Sequence, residues 1–254
     1  MKQSEFELSG RRALVTGAAG GIGGAVAGAF AGLGCRVAAA DLHQEAVGRV
    51  ISTFPDRGSG HVALGFDLAD SRACEDSVEE AATRLGGLDI VVHAGAMMIR
   101  QPTDEVTMET LERTTAVNMW GSFFVARKAA QLMAAREGGS IILFTSIGAY
   151  TGGHVNSAAY SMTKAAVTAL IKSLAREYAA RGVRVNGIAP GAVDTPMLRD
   201  GISPEALAGF MSMIPMKRAA EPEELASCCV FLASRASEFI TGQMLHVNGG
   251  QMML

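Results

Sequence analysis

Long apolar runs, metal-ligand spacings and a field of one-signed charge are all missing from this sequence of 254 residues. No stretch approaches the length that a membrane-spanning helix needs, and the opening Met1-Lys2-Gln3-Ser4-Glu5-Phe6 has no apolar signal-peptide core. A cytoplasmic protein with no membrane partner is the expectation. Only four cysteines occur, Cys35, Cys74, Cys228 and Cys229, and none forms a Cys-x-x-Cys. The adjacent pair falls in an apolar helical run, so reduced, buried thiols are expected rather than a disulfide framework or a zinc site. His43, His61, His93, His154 and His246 also lack ligand spacing, and no metal is expected. The net charge is −3 and Lys and Arg form no long cluster, which excludes the basic field that nucleic-acid binding exploits.

What is present is apolar and regular. Hydrophobic residues make up 49% of the chain, enough for a large core, and the 30 glycines follow no period. Short β-type runs at Arg12–Thr16, Arg36–Ala40, His61–Phe66, Leu88–His93, Ser140–Thr145, Arg184–Ala189 and Met244–Val247 alternate with helical patterns. Most of these runs are apolar throughout, as strands buried on both faces are. The alternation predicts an α/β fold: one Rossmann-type, doubly wound domain over 1–254 with a mostly parallel, seven-stranded sheet. In Gly21–Leu33, apolar Ile22, Val26, Ala29 and Phe30 recur at helical spacing, and Ser157 is placed to cap the helix that follows it. From 195 to 218, Pro196, Gly201, Pro204 and Pro215 break the chain into short helical pieces, an expected mobile lid.

The first strand runs into Thr16-Gly17-Ala18-Ala19-Gly20-Gly21-Ile22-Gly23, and a helix pattern follows. Gly17 allows a tight turn, Gly21 lets backbone approach a pyrophosphate, and Gly23 lets the helix pack closely, while the helix N-terminus offers amides and a positive dipole. Strand, turn and helix in that order point to a bound dinucleotide. Asp41 ends the second strand, 18 residues beyond Gly23, where a carboxylate accepts ribose hydroxyls and repels a 2′-phosphate. No Arg or Lys follows it or sits in the turn, so NAD is preferred over NADP; as a bare loop cap it would say nothing about the cofactor. Asp67, with Leu68 after it, ends the third strand and either accepts from the adenine amino group or is a solvated loop end.

Tyr160 and Lys164 stand four residues apart in Ala159-Tyr160-Ser161-Met162-Thr163-Lys164, on one face of a helix. An ammonium beside a phenol favours the phenolate, and a tyrosine that ionises near neutral pH moves protons. Taken singly, the pair is also what a solvated helix face looks like.

With these motifs in order, the chain resembles the classical short-chain dehydrogenase/reductase family over essentially its whole length. Asn118 in Val117-Asn118-Met119-Trp120-Gly121 and Ser146 match the family's active-site Asn and Ser, and Tyr160 and Lys164 complete its tetrad. Pro190-Gly191, Val193 and Thr195 match the segment that, by resemblance, touches the nicotinamide carboxamide. Ile240-Thr241-Gly242-Gln243 and Val247-Asn248-Gly249-Gly250 match as well. One motif departs: the usual Asn-Asn-Ala-Gly is His93-Ala94-Gly95-Ala96, which leaves Ala94 and Gly95 to pass the adenosine ribose and His93 either to brace the strands or to rest in the core.

The resemblance implies an NAD(H)-dependent oxidoreductase that interconverts a small secondary alcohol and its ketone. Tyr160 is then the acid/base, Lys164 favours the phenolate and holds the nicotinamide ribose, Ser146 binds the substrate oxygen, and Asn118 helps hold a water beside Lys164. Thr145 is the rival to Ser146. Met97, Met98, the loop Gly148 to Val155 and the excursion from Thr195 to Arg218 are expected walls for substrate; its Met197, Leu198, Phe210, Met211, Met213 and Met216 are either a flexible apolar lid or core or subunit-contact residues, and Tyr150 and His154 are further donors. The family and the apolar tail Gln251-Met252-Met253-Leu254 imply a homo-oligomer, dimer or tetramer. The alternatives are a 3-oxoacyl-thioester reductase and a catalytically silent dinucleotide sensor or scaffold.

Overall fold

A computed structural model describes residues 5–55 and 60–253. Leu254 of the apolar tail and residues 1–4 of the N-terminus lie outside the described residues. In chain order the elements are β1 (Arg12–Thr16), α1 (Gly21–Gly32), β2 (Arg36–Asp41), α2 (Gln44–Ile51), β3 (Val62–Gly65), α3 (Ser71–Leu85), β4 (Ile90–His93) and α4 (Met108–Thr115). A π-helical turn (Ala116–Trp120) leads into α5 (Gly121–Ala134), then β5 (Gly139–Phe144), α6 (Gly148–Thr151), α7 (Ala158–Tyr178), β6 (Val183–Pro190), α8 (Pro196–Arg199), α9 (Pro204–Met213), α10 (Pro222–Ala233) and β7 (Met244–Val247). The strands occupy the seven runs anticipated from sequence, with ends displaced by a residue or two.

All seven strands join one sheet in the order β3-β2-β1-β4-β5-β6-β7. Each of the six pairings is parallel, so the sheet is wholly rather than mostly parallel. Alternate side chains of each strand serve opposite layers. Leu14, Val91, Ile141 and Leu143 pack with Val78 of α3, Val125 of α5 and Val167 of α7. Val15, Val92 and Ile142 pack with Val26 and Phe30 of α1, Val47 of α2 and Leu225 of α10. Complete burial of residues such as Phe30 and Ile141 contributes about 1.5–3 kcal/mol each.

The chain winds outward from β1 to β3 and then returns across β1 to start β4, so the winding direction reverses between β1 and β4. Open parallel sheets bind ligands at the carboxyl ends of the strands at such a reversal. At the opposite, amino ends of β1 and β4, Arg12 and Asp89 fix the register: the Arg12 guanidinium donates to both Asp89 oxygens, at 2.7 and 2.6 Å, and the Arg12 backbone N–H adds a third bond at 2.8 Å. One local expectation fails. Ser157 does precede α7, but its hydroxyl donates to the His154 carbonyl and leaves the first turn of the helix without a side-chain cap.

Candidate active site

At the reversal, the β1 and β4 ends touch. Gly17 has φ +70°, and a Cβ on it would lie 2.6 Å from the Gly95 amide nitrogen. A Cβ on Gly23 would fall 2.1 Å from the Gly17 carbonyl oxygen, so only glycine lets α1 start this close under the turn. At Gly21 the neighbour is Thr195, whose Cγ2 would be 2.7 Å away, which brings the segment before α8 directly over the turn. The result is a cradle of backbone N–H groups at a helix N-terminus, shaped to take a phosphate.

Asp41 closes one side of this cradle. Its carboxylate accepts from the Ala19 amide of the turn at 2.9 Å and from the Leu42 amide at 2.7 Å, which aims it along the cavity wall. Asp67 accepts from Ala69 N at 2.8 Å. Leu68 packs where a Cβ on Gly95 would meet its Cδ1 at 2.6 Å. Every cofactor-binding residue named from the sequence lines one cavity of about 680 Å³.

Ser146, Tyr160 and Lys164 line the far end of the same cavity. Lys164 is buried, and its Nζ donates to the Phe144 carbonyl at 2.8 Å while standing 5.5 Å from the Tyr160 ring centroid. Burial lowers the Lys164 ammonium to about 8. The Tyr160 phenol moves the other way from the sequence expectation. Withdrawal from solvent pushes it up to about 12, against the smaller downward pull of a hydrogen bond with Ser146 and of the Arg100 charge. Lys164 is not among the influences that lower the phenol, so it does not by itself bring the phenolate into the neutral range.

Asn118 does not line the cavity. It lies fully buried in the π-helical turn between α4 and α5. Its Nδ2 donates to Met97 O at 2.9 Å and Thr163 Oγ1 at 3.1 Å, and its Oδ1 accepts from Met97 N at 2.9 Å. The side chain thus joins Met97 to Thr163 of α7. Ser146, not Thr145, is the one poised at the phenol: Thr145 is buried with its hydroxyl turned to Ile188 O, although it too borders the cavity.

The substrate walls are narrower than the sequence implies. Met97, Met98, Met197 and Leu198 line the cavity, but neither the loop after Ser146 nor α9 does. Tyr150 packs edge-on against His246 at 4.9 Å, and His154 against Phe210 at 5.3 Å, outside the cavity lining. Sequence reasoning missed Phe66, Val117, Arg113 and Arg100, which the fold delivers to the wall. For Arg100 a signal existed: it is the only cation between the altered Gly95 motif and α4.

His93 pairs with Thr16 across β1 and β4, with 2.7 Å between Nδ1 and Thr16 Oγ1, while Nε2 is buried with no partner among the described residues. Desolvation, helped by the Lys164 charge, lowers this imidazole to about 3. In the unfolded chain it would protonate near its ordinary 6.5, so the stability gained from burying it neutral is complete above 6.5 and is lost as pH falls toward 3. Replacing it with asparagine removes that dependence. The stability of the wild type relative to His93→Asn is expected to drop by about 2 kcal/mol between pH 6.5 and pH 5, measured by urea unfolding at each pH. Parallel curves for the two proteins would show that His93 does not titrate this way.

Comparison with known proteins follows the same path through the chain. A family model described as Enoyl-(Acyl carrier protein) reductase matches residues 17–252. NADPH-dependent aldehyde reductase 1, chloroplastic, of Arabidopsis thaliana is 35% identical, over 99% of this chain and 89% of that protein. Glucose and ribitol dehydrogenase of Daucus carota is 36% identical, over 97% of this chain and 87% of that one. Among solved structures, a short-chain type dehydrogenase/reductase from Mycobacterium marinum superposes with a TM-score of 0.92 at 32% identity, over 99% of both chains.

Proposed function

The chain belongs to the classical short-chain dehydrogenase/reductase family of oxidoreductases, which bind a nicotinamide dinucleotide and act on small molecules, and from that premise we propose that it interconverts a secondary alcohol and its ketone with NAD(H). The observation that carries this reading is one continuous cavity with a phosphate cradle and Asp41 at one end and Ser146, Tyr160 and Lys164 at the other.

The Gly17–Gly23 turn would hold the pyrophosphate, Asp41 the adenosine ribose, and Pro190, Gly191, Val193 and Thr195 the nicotinamide end. The bound nicotinamide supplies hydride exchange and, in its oxidised form, a positive charge. Everything else falls to the chain. The Tyr160 phenol, at about 12, is a proton donor at neutral pH and can protonate an alkoxide as it develops on a ketone. For the reverse direction it has to be lowered by added positive charge, of which Arg100 supplies only a small part. Ser146, hydrogen-bonded to that phenol, offers its hydroxyl to the substrate oxygen and so fixes the oxygen where the proton is exchanged. Lys164, held by Phe144 O, keeps the positive side of the site in place.

The preference for NAD rests on Asp41. A carboxylate beside the ribose 2′ position repels a phosphate there, and the cations lining the cavity are Arg100, Arg113 and Lys164, none of them adjacent in sequence to the turn or to Asp41. Turnover of a panel of secondary alcohols with NAD and NADP separately is expected to favour NAD by about 100-fold in kcat/KM. Asp41→Asn keeps the shape and removes the charge, and is expected to reduce that ratio about tenfold by raising activity with NADP. A wild type that prefers NADP, or a ratio that Asp41→Asn leaves unchanged, would defeat the assignment.

A further inference from the structure

Arg100 is a cation without a counter-ion in the half of the cavity where Tyr160 and Ser146 lie. Its Nε donates to Asp200 O at 2.9 Å and its Nη2 to Met197 O at 3.2 Å. Both acceptors are neutral carbonyls of the α8 segment, and Met197 itself lines the cavity. Two of the five guanidinium N–H donors are thus used, and the remaining three have no partner among the described residues. No carboxylate comes within ion-pair reach of Arg100 among the described residues, although arginines elsewhere, such as Arg12, Arg127 and Arg218, are paired.

The cavity wall sharpens this. Its carboxylates are Asp41 and Asp67, both at the strand ends that flank the phosphate cradle, while Met197, which Arg100 touches, and Met97 and Met98, just before it in the chain, also line the cavity. Arg100 is half-buried on this wall, and its unpaired guanidinium leaves a positive charge there for an anion to meet. Its charge already reaches the Tyr160 phenol, which places it beside the reacting end rather than the adenosine end.

We propose that Arg100 is the specificity-determining residue of this site and that the substrate is a hydroxy acid or its keto acid, whose carboxylate pairs with Arg100 while its reacting oxygen meets Tyr160 and Ser146. This rests on the dehydrogenase reading above and narrows it from any secondary alcohol to an anionic one. The planar guanidinium suits a carboxylate, which can take two of the unused N–H groups side by side. Because the same side chain grips the α8 segment, the pair would form beside that segment.

The test uses matched compounds that differ only in a carboxylate against a hydroxymethyl group: D-gluconate and D-glucitol, D-ribonate and ribitol, D-threonate and D-threitol. In the pair that turns over best, the acid is expected to exceed its neutral partner by about 10- to 100-fold in kcat/KM. Arg100→Gln is expected to bring that ratio close to one through the KM of the acid, over and above a loss of kcat shared by acid and neutral compound that follows from taking its charge away from Tyr160, and Arg100→Lys to keep part of the preference. Three results would overturn the proposal: a wild type that prefers the neutral member of every pair, an Arg100→Gln variant that loses activity on acid and neutral compound in the same proportion, as a mere latch on α8 would, or a change confined to NADH affinity. Binding of the acids to the enzyme–NADH complex, read by calorimetry, separates this from the reaction itself. Acids that bind in an Arg100-dependent way, with neither acid nor neutral compound turned over, would uphold the anion site and refute the dehydrogenase reading; turnover of neutral alcohols with no Arg100-dependent binding of acids would do the opposite.

Discussion

Tyr160→Phe is expected to lower kcat by about 10²- to 10⁴-fold while the dissociation constant for NADH stays within about threefold of the wild type. The substitution deletes one oxygen. The ring keeps its place over Lys164 Nζ, and the Thr163 hydroxyl continues to donate to the backbone carbonyl of residue 160, so α7 has no reason to shift. What disappears is the group that the cavity holds as an acid at neutral pH, together with its hydrogen bond to Ser146. Ser146 can still orient the substrate oxygen but has no comparable proton to give. Steady-state turnover alongside a fluorescence titration of NADH separates chemistry from binding. Retention of more than about a tenth of the activity would remove Tyr160 from the proton-transfer role. Intact function in a cofactor-sensing assay, with no turnover in the wild type either, would favour a silent dinucleotide sensor.

How far such a site can be seen in a sequence depends on how local its causes are. The glycine turn was legible because each glycine answers a steric demand set within a few residues: Gly23 meets Gly17 O, and strand, turn and helix are contiguous. The seven strands were legible because full burial writes itself as unbroken apolar runs, and only their ends, where pairing partners decide, were off. Contacts made across the fold left weaker traces. Nothing near Ser157 in sequence announces that its hydroxyl will turn back to His154 O, and nothing in Asn118 says that Met97 will engage its side chain. Arg100 is the clearest case. It reads as an ordinary polar residue in a loop until β4 and α8 bring it to the same wall as Tyr160, a hundred residues from the carbonyls it grips. The environment of Tyr160 left as little trace. Helical spacing gives the nearness of a lysine but not the desolvation that outweighs it.

Lys164→Met carries the second large effect, and it should act on activity and stability in opposite directions. Activity is expected to fall by about 10²- to 10³-fold, since the variant loses a positive donor fixed beside the reacting tyrosine. Stability follows from linkage. The buried ammonium stands at about 8 in the folded chain against an ordinary value near 10.5, because desolvation penalises its charged form. Between those two values the unfolded chain holds the proton and the folded chain releases it, so the wild type gains stability as pH rises from 8 to 10.5. Below 8 it bears the whole cost of burying the charge, about 3 kcal/mol. Methionine has no such cost but leaves the Phe144 carbonyl without the Nζ donor, a loss of about 1–3 kcal/mol. At pH 7 the variant should therefore be as stable as the wild type or up to about 2 kcal/mol more stable, and its standing relative to the wild type should decline by about 3 kcal/mol as pH is raised to 10.5. Urea unfolding at pH 7, 8.5 and 10 tests this without any assay of turnover. A variant that is inactive yet keeps a pH-independent stability difference would mean that Lys164 is not the buried, strained cation that the fold places under Tyr160. A stability gap that closes and reverses with pH would mark Lys164 as a residue that the folded chain keeps at its own expense, as expected where a charge is held for chemistry.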